Sequence, residues 1–177
     1  MKCAASLAHH GLLGSVRDLD LCLVDLSSVP AQHLSSLVSC VTRSLCIEEV
    51  SGCDLVSTLT SLKCKDFHIA RHRQRLGREE TQALVQAMES RVEDVRLSSE
   101  VTLDIEALTQ YSGQGVCKRV MLYDDTAECT MDRYREEMRT WARSRNYIIA
   151  YERKSTFSIK MPNELDIGNY ASASSSE

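Results

Sequence analysis

The chain is poor in the two residues that most often form tight turns, since its 177 positions include 2 Pro and 7 Gly. Together these make up about 5% of the chain, whereas roughly 12% is usual in soluble proteins. β-Sandwiches and Greek-key barrels depend on Gly and Pro at their many turns, so this scarcity argues against both folds. It also excludes collagen-like chains and disordered chains rich in Pro and Gly.

Long apolar runs and a broad basic surface are also missing. No stretch of about 18 apolar residues occurs, so we expect no contact with a membrane. The 21 basic residues are scattered among 25 acidic ones and the net charge is −4, so we expect no nucleic-acid partner. The densest basic stretch, residues 71–75, precedes Glu79 and Glu80 and is interpreted as a solvated loop.

Eight cysteines are present, but none of them forms a Cys-x-x-Cys pair or a zinc-finger spacing with histidine. Most lie within apolar runs, where a free thiol behaves as a small hydrophobic side chain. The N-terminus becomes polar too soon for a signal peptide, which favours a reducing, cytoplasmic location. We therefore predict reduced thiols, no bound metal and no other cofactor.

Sequence signatures of common enzyme classes are missing too. The chain has no Gly-Lys pair for a phosphate-binding loop and no Gly-x-Ser-x-Gly nucleophile elbow. The Gly113-Gln114-Gly115 segment precedes a predicted strand, which is the reverse of a dinucleotide-binding fingerprint, so a turn is expected there. We predict no catalytic residue and no enzymatic activity.

A short pattern, apolar-x-x-apolar-x-apolar, recurs along the chain. Its equivalent middle positions are Leu19, Leu45, Phe67, Val95 and Val120, which are separated by 26, 22, 28 and 25 residues. These separations lie in the range of leucine-rich repeats, about 20 to 29 residues. Each occurrence predicts a short strand, and a further alternation over residues 147–151 predicts a final one.

Between these strands the apolar period changes from 2 to 3.6, which predicts helices. The first expected helix is capped by Ser28 and includes Leu34 and Val41, and the second is capped by Asp54. The third begins at Gly77, and a short fourth helix extends from Ile105 to Tyr111. The last helix has an apolar face that contains Met131, Tyr134, Met138 and Trp141. We predict that this last helix closes the end of a stack of repeats.

Each strand-helix unit is too small to bury its apolar side alone, so the units are expected to stack. The predicted fold is an α/β leucine-rich-repeat-like solenoid of short parallel strands alternating with helices, of the ribonuclease-inhibitor type. One buried ladder would then contain Leu21, Ile47, Ile69, Leu97 and Leu122. An ordinary open α/β sheet is the alternative, although it usually has longer apolar strands and a Gly-rich loop after the first strand.

The chain divides into three predicted parts. Residues 1–15 form an incomplete first repeat or an N-terminal cap, and residues 16–152 form about five strand-helix repeats with a final strand. Residues 153–177 lose the apolar periodicity and are expected to form a polar, partly disordered tail.

Residues that alternate with the buried ladder are expected to face outward on the sheet. This candidate protein-binding face comprises Asp18, Asp20, Cys46, Glu48, Asp66, His68, Asp94, Arg96, Arg119, Met121 and Tyr123. Charges of both signs and an aromatic residue on a rigid sheet are typical of a surface that binds a protein partner. The alternative is that this polar face is only solvated.

Cys46 and His68 would be neighbours on that face, about 5 Å apart across two strands. A thiolate beside an imidazole could bind a metal ion or act as a nucleophile. Two ligands do not make a zinc site, and no third group that would orient the pair is evident. A small cysteine/histidine enzyme or metal-binding protein therefore remains the alternative to a non-enzymatic recognition module.

Several longer segments resemble the divergent leucine-rich-repeat region of invertebrate NLR-type or death-fold immune receptors. They are residues 29–34 (VPAQHL), 50–55 (VSGCDL), 76–91 (LGREETQALVQAMESR), 100–115 (EVTLDIEALTQYSGQG) and 134–142 (YREEMRTWA). The resemblance extends over roughly residues 11–152, although the Asn position of the repeat consensus is poorly matched. It implies ligand sensing, autoinhibition or partner docking in the cytosol, and no ATPase function, because the nucleotide-binding module of that family is missing here.

Overall fold

The structure, a computed structural model, describes residues 2–70, 76–98, 101–123, 132–145, 147–153 and 156–160. Of residues 122, 123, 132–135, 148–153 and 156–160 it describes the backbone and not the side chains. The basic stretch at 71–75 and the end of the predicted tail, residues 161–177, lie outside the described residues.

Helices and strands alternate along most of the described chain. The helices are α1 (Lys2–His9), α2 (Ala31–Ser39), α3 (Leu55–Thr60), α4 (Arg78–Ser90), α5 (Ile105–Leu108) and α6 (Asp132–Ser144). The strands are β1 (Val16–Cys22), β2 (Val41–Glu48), β3 (Asp66–Ala70), β4 (Asp94–Ser98), β5 (Arg119–Tyr123), β6 (Ile148–Arg153) and β7 (Thr156–Lys160).

The described strands form one sheet in the order β1-β2-β3-β4-β5-β7-β6. Strands β1 to β5 are parallel and follow the order of the chain, which confirms the predicted α/β class with a parallel sheet. Right-handed connections between strands in this sequential order place every connecting helix on the same side of the sheet. Consecutive helices accordingly contact one another from α1 to α6. This order lacks the reversal of a doubly wound open sheet.

The predicted buried ladder is present in the pairing of the parallel strands. Leu21, Ile47, Ile69 and Leu97 are consecutive cross-strand partners, and each is at most 1% exposed. Leu122 is the next partner along the sheet, and its side chain lies outside the described part. The prediction is therefore confirmed for the four described side chains, which pack between the sheet and the helices.

Three predicted boundaries were wrong by a few residues. Pro30, and not Ser28, is the N-cap of α2. Val41 is the first residue of β2, because the β-branched pair Val41-Thr42 favours an extended backbone and Val41 pairs with Val16 of β1. Helix α5 ends at Leu108, three residues earlier than expected.

The far end of the sheet differs from the prediction of a single final strand followed by a polar tail. Strand β7 lies within the predicted tail, between β5 and β6, and pairs antiparallel with both. A strand that follows β6 after a short connection can pair with it only in the antiparallel direction. Helix α6 is therefore not the last element at this end, since the β7-β6 pair extends the sheet beyond β5.

The cap of α3 provides a direct test of how the helices begin. Asp54 accepts hydrogen bonds from the Ser57 N–H at 3.1 Å and from the Ser57 hydroxyl at 2.6 Å, and these bonds lower the pKa of Asp54 below 3.8. We expect Asp54→Ala to lower the free energy of unfolding by about 1 kcal/mol, measured by urea titration.

Asp54→Asn is the matched control, because asparagine caps a helix about as well as aspartate. This substitution should lower the free energy of unfolding much less than Asp54→Ala. The capping contribution of the carboxylate is complete above pH 3.8 and is lost as the pH falls through the lower folded-state pKa. The stability difference between the native chain and Asp54→Ala should therefore shrink below that pH. A constant difference down to pH 2 would contradict this account.

Candidate binding face

The outward face consists of side chains of β1 to β5 that point away from the helices. Cross-strand pairing arranges them in two ladders, because parallel strands in register place equivalent residues side by side. The first outward ladder is Asp18, Ser44, Asp66, Asp94 and Arg119. The second outward ladder is Asp20, Cys46, His68, Arg96 and Met121.

Nine of the eleven predicted face residues lie in these two ladders. Glu48 follows the second ladder on β2, where it is the cross-strand partner of Cys22. Tyr123 is the partner of Ser98, but its side chain lies outside the described residues. The sheet thus brings the predicted residues together on one side, while their role in binding remains a prediction.

The face is bounded at its C-terminal edge. Continued alternation would place Ala70 and Ser98 outward, yet both are buried, at 5% and 0% exposed. The Ser98 hydroxyl has no hydrogen-bond partner among the described residues. The accessible surface on β3 and β4 is therefore confined to the two outward ladders.

Two ion pairs neutralise part of the first outward ladder. The Arg119 Nε donates to the Asp94 carboxylate at 2.7 Å across neighbouring strands. Arg43 donates through two nitrogens to both carboxylate oxygens of Asp18. Both pairs are partly exposed, so each contributes little to stability, but they fix the side chains in place.

Cys46 and His68 meet as predicted, and their side chains are closer than strand spacing alone required. The Cys46 Sγ lies 3.3 Å from the His68 Nδ1. Partial burial, with smaller contributions from the nearby carboxylates of Asp20 and Glu48, raises the pKa of Cys46 to about 11. At pH 7 about one thiol in ten thousand would be ionised, so Cys46 is a neutral hydrogen-bonding group and not a thiolate.

A charged cluster at the N-terminal edge of the sheet was missed by the sequence analysis. Glu93 accepts from Lys65 at 2.9 Å and from Lys118 at 2.6 Å, and its pKa is lowered by the bond to Lys118 first and then Lys65. Each of the three residues directly precedes a strand, so they occupy the same position in successive repeats. That shared position was the signal that could have revealed the cluster.

A shallow groove of about 470 Å³ lies on the helix side, between α5 and α6. It is lined by Ile105, Thr109, Glu136, Glu137, Thr140, Trp141 and Ser144. None of the predicted face residues borders it. The groove is therefore separate from the outward face.

The prediction of reduced thiols concerns eight cysteines, and it stays a prediction. The structure describes seven of the eight and joins none of these seven in a disulfide, while Cys129 lies outside the described residues. Burial raises the pKa of Cys64 to about 11 and that of Cys117 to about 12. In the described part of the chain, no three His, Cys, Asp or Glu residues are arranged to hold a metal ion.

We expect thiol titration of denatured protein without reductant to recover all eight cysteines, because we predict that no pair among them is a structural disulfide. The measurement uses freshly purified protein, and the same sample treated with reductant serves as the control. Recovery of six or fewer thiols before reduction would contradict both the reduced state and the cytoplasmic assignment.

Comparison of the chain with protein-family models, curated proteins and solved structures found no match. No helix in the described ranges is sufficiently long and apolar to cross a bilayer.

Proposed function

We propose that this chain is a non-enzymatic protein-recognition module of the leucine-rich-repeat type, and that its outward face contacts a protein partner. The observation that supports this most directly is the pair of outward ladders, which run without interruption across five parallel strands. Because the helices cover the other side of the sheet, these ladders form its accessible surface. Stacked repeats commonly bind partners through such extended surfaces.

The chemistry of the face is suited to selective contact. Asp20 and Arg96 are exposed on the same ladder, three strands apart, and Cys46 and His68 lie between them. Strand spacing of about 4.8 Å holds these groups at regular distances without flexible loops. Because these side chains are held on a rigid sheet, little conformational entropy would be lost on this side of the interface when a partner with complementary charges binds.

The proposed setting is innate immune sensing or signalling in the cytoplasm. The immune role rests on the resemblance of the five segments to receptors of that class. The cytoplasmic location is supported by the seven described cysteines, none of which forms a disulfide, as is typical of proteins in a reducing compartment. The proposed partner is a protein and not a nucleic acid or a membrane.

The proposal is tested by affinity capture from a lysate of the source organism with the intact chain and two charge-reversal variants. Arg96→Glu changes the centre of the outward face, whereas Lys63→Glu makes the same charge change in the exposed connection before β3. Proteins captured by the native chain should be retained by Lys63→Glu and lost with Arg96→Glu. Equal capture by both folded variants would argue that the face is only solvated.

The alternative is a cysteine/histidine enzyme or metal-binding protein, which the 3.3 Å approach of Cys46 to His68 favours. The raised pKa of Cys46 argues against a thiolate nucleophile, and a metal ion would have to displace the thiol proton. Metal analysis of protein purified under reducing conditions separates the two proposals. One equivalent of zinc in the native chain, lost in Cys46→Ser, would favour the alternative.

A further inference from the structure

Strand β1 lies at the edge of the sheet, and its outer side carries no strand in the described part of the chain. The Leu23 N–H donates to the Glu48 carbonyl of β2 at 3.0 Å. The N–H and C=O groups of successive residues alternate in direction along a strand. Leu19 and Leu21, which alternate with Leu23, therefore bond to β2. The N–H and C=O groups of Asp18 and Asp20 point away from β2. Among the described strands none pairs with these groups, so they form an open hydrogen-bonding edge.

The helix layer extends one element beyond this edge. Helix α2 connects β1 to β2, and α1 packs on the side of α2 away from α3, through Ala5, Ala8 and Leu37. In this fold each helix covers a strand, but α1 has no described strand of its own beside β1. Apolar side chains remain exposed at this end of the molecule, with Leu7 at 43% and Leu12 at 73%.

Edge strands of this kind are usually protected, because an open edge pairs readily with other chains. Strand β1 is seven residues long and contains no proline. Its irregularity lies at the start, between Val16 and Asp18, so the second half of the strand is left regular. The edge therefore remains competent to receive another strand.

We propose that the free edge of β1 binds an extended basic segment of another protein, which adds to the sheet as a further parallel strand. Main-chain hydrogen bonds to Asp18 and Asp20 would provide affinity, as in other cases of strand addition. Alternate apolar residues of the segment would face the helix layer beside α1. The remaining residues would extend the outward ladders next to Asp18 and Asp20.

The charges select the partner. Asp94 and Arg119 occupy the same ladder position on adjacent strands and bond at 2.7 Å, which is the geometry expected for an arginine placed beside Asp20. Asp18 already pairs with Arg43, so Asp20 is the main determinant. A second copy of this chain is disfavoured, because antiparallel pairing of two β1 strands would bring their aspartates together.

The first test measures amide hydrogen exchange in the intact chain. In the free protein the amides of Asp18 and Asp20 should exchange quickly, while those of Leu19 and Leu21, which bond to β2, exchange slowly and act as internal controls. Addition of a short synthetic peptide that alternates arginine with valine should slow exchange at Asp20 by at least about tenfold. Binding of the peptide without any change at Asp18 and Asp20 would overturn the proposal.

Backbone methylation of the peptide identifies the mode of binding. With an arginine beside Asp20, the valine amides of a parallel strand point at β1 and the arginine amides point away. A peptide N-methylated at its valines should lose binding, and one N-methylated at its arginines should keep it. Equal affinity of the two, or no binding of the unmodified peptide at millimolar concentration, would contradict strand addition.

Two variants of the chain complete the test. Asp20→Pro removes the edge-facing N–H without removing a bond to β2, and prolines are tolerated at such edge positions, so peptide binding should be abolished. Asp20→Asn keeps the N–H and should weaken binding severalfold. Native-like circular dichroism verifies that Asp20→Pro folds. If this variant does not fold, binding of the two N-methylated peptides to the native chain still tests strand addition.

This inference is independent of the proposed function of the outward face. Arg96→Glu lies three strands away from β1 and should leave peptide addition unchanged. Capture by the outward face is scored by Arg96→Glu against Lys63→Glu, and neither of these substitutions alters the edge of β1. Failure of one proposal is therefore visible without failure of the other.

Discussion

Replacement of Phe67 by alanine is expected to lower the free energy of unfolding by about 3–5 kcal/mol. Phe67 is 1% exposed and occupies the central strand of the parallel sheet, between its cross-strand partners Leu45 and Val95. Its removal leaves a cavity between the sheet and the helix layer that neighbours on both sides can fill only in part. Urea denaturation followed by circular dichroism measures the change.

The adjacent residue is the matched control. His68 lies on the opposite face of the same strand, half-buried and bonded to Cys46, so His68→Ala should cost about 1 kcal/mol. If Phe67→Ala and His68→Ala lowered the free energy of unfolding equally, the two faces of the sheet would not differ in burial. The assignment of the outward face would then be wrong.

Truncation of Trp141 to alanine is the second large effect, with an expected loss of about 3–5 kcal/mol. Trp141 is 2% exposed, and its ring meets the ring of Tyr147 edge-on at a centroid distance of 5.2 Å. Met138, one turn earlier on α6, is fully buried. The substitution therefore removes a large buried aromatic side chain from the packing of α6.

Arg139→Ala is the control on the same helix. Arg139 bonds to Glu136 at 2.7 Å in an i,i+3 pair whose acidic partner is exposed, and such pairs contribute about 0.5 kcal/mol or less. The loss of unfolding free energy for Trp141→Phe should lie between the losses for Trp141→Ala and Arg139→Ala. Phenylalanine keeps an aromatic ring, and the substitution removes an indole N–H that has no acceptor in the described part.

Trp141 also reports on its own environment, since it is the only tryptophan of the chain. Its native emission should be blue-shifted and should move to longer wavelength on unfolding. A red-shifted native spectrum, or equal costs for Trp141→Ala and Arg139→Ala, would mean that α6 does not dock as described. Met131 and the side chain of Tyr134, the other predicted members of this apolar face, lie outside the described residues.

The repeated pattern predicted the strand pairing well because it is a local signal with a fixed spacing. A one-residue shift in register would turn every buried side chain outward, so the positions Leu21, Ile47, Ile69 and Leu97 could align in only one way. The same reasoning placed Cys46 beside His68. It predicted adjacency of the strands, but not the 3.3 Å contact between Sγ and Nδ1, which depends on side-chain rotamers.

The end of the sheet was less predictable. The alternation Thr156-Phe157-Ser158-Ile159-Lys160 is present in the sequence, but it lies outside the repeat period and was assigned to a polar tail. Its position between β5 and β6 follows from chain reversal and not from any repeat. The charged contacts of Glu93 with Lys65 and Lys118 follow from the shared position of these residues before successive strands, but the bond distances of 2.9 and 2.6 Å depend on side-chain rotamers.

The sequence by itself determined the α/β class, the parallel pairing of β1 to β5 and the division between buried and outward positions, because hydrophobic periodicity acts through each strand and helix separately. Tertiary structure alone decided which outward groups are ion-paired, how far the pKa of Cys46 is raised, and that β1 is the edge strand beside α1 among the described strands. These properties depend on burial and on groups brought together from distant parts of the chain, which local periodicity does not encode.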